Sequence, residues 1–226
     1  MFDVTTYAPW LKRLPSLLYK LAAQAWIDAR WPRHLFIETT AACNLTCDYC
    51  PREPLRDCMD FGLFQRLIDE GAHVGPRSYS LHLFGEPLLY PRWRDAISYI
   101  HARHGRNRVL LTTNGTAVNR VVDDLIAANP DLVLWTWRPE ARFTDATKAK
   151  LRRWGKFRVR FIQEITPTEA YEEWRTWPNV ENRPLHNYGE FDLATFGVRP
   201  TVTPRYPCGH LWLAPAVSWN GDLLMC

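Results

Sequence analysis

The chain has 226 residues, 46% of them hydrophobic, and 28 Lys and Arg against 24 Asp and Glu give it a net charge of +4. That length supports one sizeable core, as one domain or one plus an appendage. The mild charge, with no Lys/Arg-dense run, gives no argument for nucleic-acid binding.

Three further classes fall away. No stretch of about 18 apolar residues occurs, which excludes a membrane-spanning helix. The opening Met1-Phe2-Asp3-Val4 does not read as a signal peptide. A chain this large needs no disulfide framework, and no fixed-period repeat is visible.

In chain order, residues 1–33 read as an amphipathic helical extension, with Trp10, Leu14, Leu17, Leu18, Leu21 and Trp26 near helical spacing. From His34 onward short apolar strands alternate with helical stretches. Strands are expected at 34–39, 79–84, 108–113, 132–136, 157–163 and about 181–187. Helices are expected at 61–73, 93–104, 118–128, 144–154 and 168–177. Pro91, Pro130 and Pro167 fall at the boundaries, where a residue unable to donate a backbone hydrogen bond is tolerated. Strand–helix alternation of this kind gives a parallel sheet with right-handed crossovers. A full eight-unit barrel uses roughly 31 residues per unit, so six strands over 34–190 predict a partial (β/α)6 TIM-like barrel. A hairpin is expected after it, where Asn220-Gly221 separates 216–219 from 223–225.

In such a layout the chemistry lies on loops after the strands' C-terminal ends. The first of these loops carries Cys43-Asn44-Leu45-Thr46-Cys47-Asp48-Tyr49-Cys50. Three thiols within eight residues can reach one inorganic centre, and they leave a tetra-iron cluster one protein ligand short. A structural zinc site pairs its ligands as CxxC or CxxC with HxxxH, and no His stands at a matching offset here. The next three loops carry Phe84-Gly85-Glu86-Pro87, Thr113-Asn114-Gly115-Thr116 and Trp135-Thr136-Trp137-Arg138. Four chemically distinctive segments thus share one end of the sheet. Cys58, beyond the Cys loop, reads as a buried apolar thiol and not a ligand.

The Cys spacing, with an aromatic before the third Cys, resembles the signature of the radical SAM enzymes. That resemblance implies a [4Fe-4S] cluster on Cys43, Cys47 and Cys50, with S-adenosylmethionine (SAM) chelating the open iron. It implies Tyr49 beside the adenine, and Gly85 and Glu86 at the methionine amino group, with Phe84 where the family has another Gly. Asn114 would lie near the cofactor, and Thr136 and Arg138 would meet its ribose and carboxylate; Arg160 and Gln163 are weaker candidates. The segment from Cys208 through Gly221 to Cys226 resembles the opening of the SPASM-type extension, whose cysteines hold an auxiliary iron–sulfur cluster. The resemblance therefore divides the chain into an N-terminal helical extension (1–33), a radical SAM partial barrel (34–190) and the beginning of an auxiliary-cluster region (191–226). Since the family continues with further cysteines, the chain reads as a C-terminally truncated fragment or as a natural short form.

The function implied is reductive cleavage of SAM to a 5′-deoxyadenosyl radical that takes hydrogen from a peptide or small-molecule substrate. Partners would be SAM and an electron donor such as flavodoxin or ferredoxin. An oxygen-sensitive cluster points to the cytoplasm. The alternative is a non-catalytic iron–sulfur or zinc-binding module.

Overall fold

A computed structural model describes residues 31–185 and 214–224. The described chain runs β1 (His34–Ile37), α1 (Phe61–Ala72), β2 (Ser78–Ser80), a 3-10 turn (Pro87–Leu89), α2 (Trp93–Arg103), β3 (Arg108–Thr113), α3 (Val118–Ala128) and β4 (Leu132–Thr136). It continues with α4 (Asp145–Trp154), β5 (Phe157–Ile162), α5 (Thr168–Trp174), β6 (Val180–Arg183), β7 (Ala216–Val217) and β8 (Leu223–Leu224). All form one open sheet in the order β6-β5-β4-β3-β2-β1-β7-β8. Strands β1 to β6 are parallel neighbours, as the alternating pattern predicts for a partial barrel.

Helix limits follow local chemistry. At the start of α1 Asp60 accepts the Leu63 backbone N–H at 2.9 Å, and Phe64, Ile68 and Gly71 recur on its buried face. Thr144 caps α4 by accepting the Thr147 N–H at 3.1 Å. Its other end closes on Gly155, whose φ of 77° is the left-handed conformation a helix stop favours.

Alternate strand residues build the core. Ile37, Tyr79, Leu111, Trp135, Val159 and Phe161 are buried against helix residues such as Phe64, Ile100, Leu125 and Leu151. The intervening positions carry polar groups on the barrel's inner face. There His34 Nε2 meets Ser80 Oγ at 2.9 Å, and Arg160 pairs with Glu181 at 2.7 Å.

The hairpin forms where Asn220-Gly221 places it, with Gly221 at φ 97° and Val217 opposite Leu223. Its first strand does more than close a turn. β7 runs parallel to β1, with Phe36 facing Ala216 and Ile37 facing Val217, and so occupies the free edge of the barrel sheet. The strands expected at 34–39 and 79–84 end early, at Ile37 and Ser80, because the chain leaves the ladder to build the loops described below. Of the strand expected at about 181–187, β6 covers Val180–Arg183, and residues 186–187 lie outside the described residues. Of the amphipathic helical extension expected over 1–33, residues 1–30 lie outside the described residues, and residues 31–33 are not helical. Among those described, no helix is long and apolar enough to cross a membrane.

Candidate active site

The loops after β1, β2, β3 and β4 all leave the same end of the parallel sheet, and hydrogen bonds tie them together. The Cys loop is closed by the Cys50 N–H on the Cys47 carbonyl at 2.9 Å and by Arg52 Nη2 on the Leu45 carbonyl at 2.7 Å. Thr40 anchors its entry, its hydroxyl donating to the Asp57 carbonyl and accepting from the Ala42 N–H, each at 3.0 Å. Cys43, Cys47 and Cys50 are free and half-buried. Burial pushes the Cys50 thiol up, the charges of Cys47 and Cys43 push the same way, and the Arg52 N–H opposes them. A cationic centre would reverse that balance in favour of thiolates.

Cys58 is exposed, which corrects the expectation of a buried thiol. It sits in an isolated antiparallel bridge opposite Thr40, with Sγ 3.3 Å from the Thr40 hydroxyl, before helix α1 begins.

The Gly85-Glu86-Pro87 segment lies directly on the Cys loop: the Glu86 N–H donates to the Ala42 carbonyl at 2.8 Å. Glu86 itself is 2% exposed. One of its carboxylate oxygens accepts the Thr113 hydroxyl at 2.7 Å and the Leu88 N–H at 3.2 Å, and the other accepts the Asn114 N–H at 2.6 Å. The sequence reading places this carboxylate against an ammonium. The structure instead commits it to fixing the tips of two loops. Burial is the main influence on its pKa and raises it to about 7; the three hydrogen bonds and Arg138 pull the other way.

Arg138 lies between the loops. Its guanidinium carbon is 5.2 Å from the centre of the Tyr49 ring, and its Nη1 donates to the Trp137 carbonyl at 2.6 Å. Its Nε is buried without a partner among the described residues. With Leu45, Cys47, Tyr49 and Trp137 it lines a cleft of about 270 Å³. Thr136 is buried at the tip of β4 in register with Arg160. Tyr49, Gly85, Glu86, Asn114, Thr136 and Arg138 are thus all brought to the thiol end of the sheet. Cys208 and Cys226 lie outside the described residues.

Two residues escaped the sequence reading. Glu38, 5% exposed at the end of β1, accepts the Phe84 N–H at 3.2 Å, the Trp219 N–H at 3.4 Å and the Gly85 N–H. A carboxylate closing an apolar strand was the available signal. His82 accepts the Thr112 N–H through Nδ1 at 3.2 Å, and burial holds its pKa down at about 3, helped by the positive charges of Arg160, His34 and Arg183. It is therefore neutral, and with Nδ1 accepting, its proton belongs on Nε2.

The donor set is three soft thiols without a fourth, which suits iron–sulfur ligation with one iron left open. Among the described residues, no three His, Cys, Asp or Glu side chains converge as they would on a single metal ion. The buried, unpartnered Arg138 Nε beside an aromatic ring suits a ligand carrying both a carboxylate and a flat base.

Comparison with known proteins agrees. Residues 37–135 match the family profile of the Radical SAM superfamily. A GTP 3′,8-cyclase of Heliobacterium modesticaldum is 36% identical over 129 residues, covering 53% of this chain and 39% of that protein. A tungsten-containing aldehyde ferredoxin oxidoreductase cofactor-modifying protein of Pyrococcus furiosus is 28% identical over 110 residues, covering 46% and 30%. The chain thus spans well under half the length of these curated relatives. Among solved structures, BtrN in complex with AdoMet and 2-DOIA superposes with a TM-score of 0.57 at 17% identity, covering 88% of this chain and 74% of that one. AnSMEcpe with bound AdoMet gives 0.54 at 14%, covering 70% and 52%. These likenesses show the fold. The fold they share is an open, partial TIM-like barrel, and within it residues 37–135 are the part that matches the Radical SAM superfamily.

Proposed function

We propose that this chain holds a [4Fe-4S] cluster on Cys43, Cys47 and Cys50, binds SAM across the adjoining loops, and uses it to take a hydrogen atom from a substrate on the barrel's inner face. The observation that carries this reading is the direct bond between the Cys loop and the Gly-Glu-Pro segment, Glu86 N–H to Ala42 carbonyl at 2.8 Å. It makes thiols and loop one rigid unit. Held by Cys43, Cys47 and Cys50, a reduced cluster would supply the electron for cleavage of the SAM sulfonium.

The chain's own residues supply position and enclosure. Gly85 lets its backbone approach the Cys loop closely enough for peptide carbonyls to face an ammonium. Arg138 offers its unpartnered Nε to the carboxylate, and Tyr49 and Trp137 wall the cleft against the adenine. Glu86 holds Thr113 and Asn114 in place beneath them.

The matched relatives make GTP the first substrate to test. The family match over residues 37–135 includes the proposed cofactor-binding loops, and the relatives match over about half of this chain, so the likeness supports the shared SAM chemistry more strongly than a shared substrate. The cysteines at 208 and 226, with their likeness to the SPASM-type extension, favour a peptide side chain as the second reading. An electron donor such as flavodoxin or ferredoxin and a cytoplasmic setting belong to the same proposal.

The test is anaerobic reconstitution with iron and sulfide, dithionite reduction, and measurement of 5′-deoxyadenosine from SAM, with GTP or a peptide added in parallel. Formation of 5′-deoxyadenosine that disappears in Cys47→Ala is expected. A cluster-loaded protein that binds no SAM would leave the non-catalytic iron–sulfur module as the better description.

A further inference from the structure

Asn114 occupies a position that the cofactor-binding role expected for it does not explain. Its Nδ2 lies 3.7 Å from Cys43 Sγ and 3.0 Å from Asn44 Oδ1. Which end of a carboxamide carries the nitrogen is settled only by its partners, and here one partner is unambiguous. The Thr116 backbone N–H can only donate, and it meets the other end of the Asn114 side chain at 3.0 Å. That end is therefore Oδ1, and the NH2 group faces the thiol.

A closed ring reinforces the orientation. The Thr116 hydroxyl donates to Asn114 Oδ1 at 2.7 Å and accepts from Asn44 Nδ2 at 2.8 Å, while Asn44 Oδ1 accepts from Asn114 Nδ2. Asn44 directly follows Cys43 in the chain, so the ring locks the donor to the backbone of the ligand it addresses. The backbone of Asn114 is held as well, its N–H by Glu86 and its carbonyl by the Trp135 indole N–H at 3.1 Å. Neither side chain nor backbone has a low-cost alternative arrangement.

We infer that Asn114 is a positioning residue whose amide hydrogen bond to the Cys43 thiolate raises the reduction potential of the cluster. The inference rests on the radical SAM reading of the three thiols. An electron added to an iron–sulfur cluster increases negative charge on its sulfurs, and a hydrogen-bond donor at one of them stabilises the reduced form more than the oxidised. Partners of metal ligands tune the metal in this way. Because Glu86 also holds the Asn114 N–H, the residue joins the loop proposed to receive SAM to the thiolate proposed to receive the electron.

The test is a redox titration of the reconstituted full chain without SAM, following the electron-paramagnetic signal of the reduced cluster, with iron and sulfide counted in every sample. Asn114→Ala, which removes the donor, is expected to move the midpoint to more negative potential at unchanged iron content. Asn114→Asp, nearly isosteric, puts an oxygen where the NH2 stood and is expected to move it further in the same direction. Asn44→Ala, which opens the ring but leaves the donor, is expected to give a smaller negative shift. Wild-type midpoints in both Asn114 variants at full iron loading would overturn the inference, even if SAM binding had weakened. A wild-type chain that assembles no cluster would overturn the radical SAM reading itself, and this inference with it.

Discussion

A methyl group placed on Gly85 would lie 1.8 Å from the carbonyl oxygen of Thr40. The loop after β2 and the entry to the Cys loop therefore meet backbone to backbone, a closeness that only glycine allows. The atoms in the way are main chain, Thr40 C at 2.7 Å and Ala42 O at 3.1 Å, and cannot swing aside like a side chain.

Gly85→Ala is accordingly expected to displace one loop from the other, with SAM affinity falling more than tenfold. The stability cost should reach or exceed the ~1–3 kcal/mol typical of overpacking. Calorimetric titration with SAM and thermal unfolding of the same sample check both. Wild-type SAM affinity in this variant would contradict the rigid loop contact.

The three thiols and the fourth should separate cleanly. Replacing Cys43, Cys47 or Cys50 by Ala is expected to abolish cluster assembly and SAM cleavage, whereas Cys58→Ala retains both. Exposed Cys58 lies across from Thr40 on the far strand of the bridge, outside the eight-residue loop. Iron analysis decides the matter: loss of iron in Cys58→Ala with retention in Cys50→Ala would reverse the ligand assignment.

Glu86 carries a stability signature that depends on pH. Burial raises its pKa from 4.5 to about 7. Between those values the folded chain keeps a proton that the unfolded chain has released. Stability from this group is therefore complete below about pH 4.5 and falls as pH rises to 7, the reverse of a salt-bridged carboxylate. The rise corresponds to on the order of 3 kcal/mol at ~1.36 kcal/mol per pH unit. In Glu86→Gln that slope should vanish, at a cost of about 1–3 kcal/mol because its NH2 must face one of three donors. Urea unfolding of the cluster-free chain at pH 5 and pH 8, with and without the substitution, measures the difference. Equal slopes would show that Glu86 ionises normally.

Much of this was legible in the sequence because the signals were local. Helix α3 ends at Ala128 where an apolar face gives way to Asn129-Pro130, and Asn129 takes the left-handed φ of 53°. The Asn220-Gly221 turn needed no knowledge of its surroundings. What the sequence hid were partners far apart. A two-residue strand carries no periodicity, so nothing in Ala216-Val217 names β1 as its neighbour. Glu86 looks like a ligand-facing carboxylate in the sequence, because sequence reveals the residue type but not which way its loop turns. Glu38 was masked by the apolar run it terminates, although a buried carboxylate must find donors somewhere.

Glu38 supplies the last expectation. Its two oxygens gather N–H groups from Phe84, Gly85 and Trp219, so one side chain directly after β1 joins the Gly-Glu-Pro segment to the hairpin turn 181 residues later. Burial raises its pKa, and the three N–H donors work against that rise. Glu38→Ala leaves those amides without their acceptor, at about 1–3 kcal/mol, spread over the two loops and not the whole sheet. Amide hydrogen exchange is therefore expected to quicken at Phe84, Gly85 and Trp219 while β4 and β5 keep wild-type protection, because local opening is read separately from global unfolding. Glu38→Gln, which keeps one acceptor oxygen, should restore protection to one loop and not both. If exchange at Trp219 stays unchanged in Glu38→Ala, the hairpin is held by its ladder with β1 alone, and Glu38 does not couple it to the loop at Gly85.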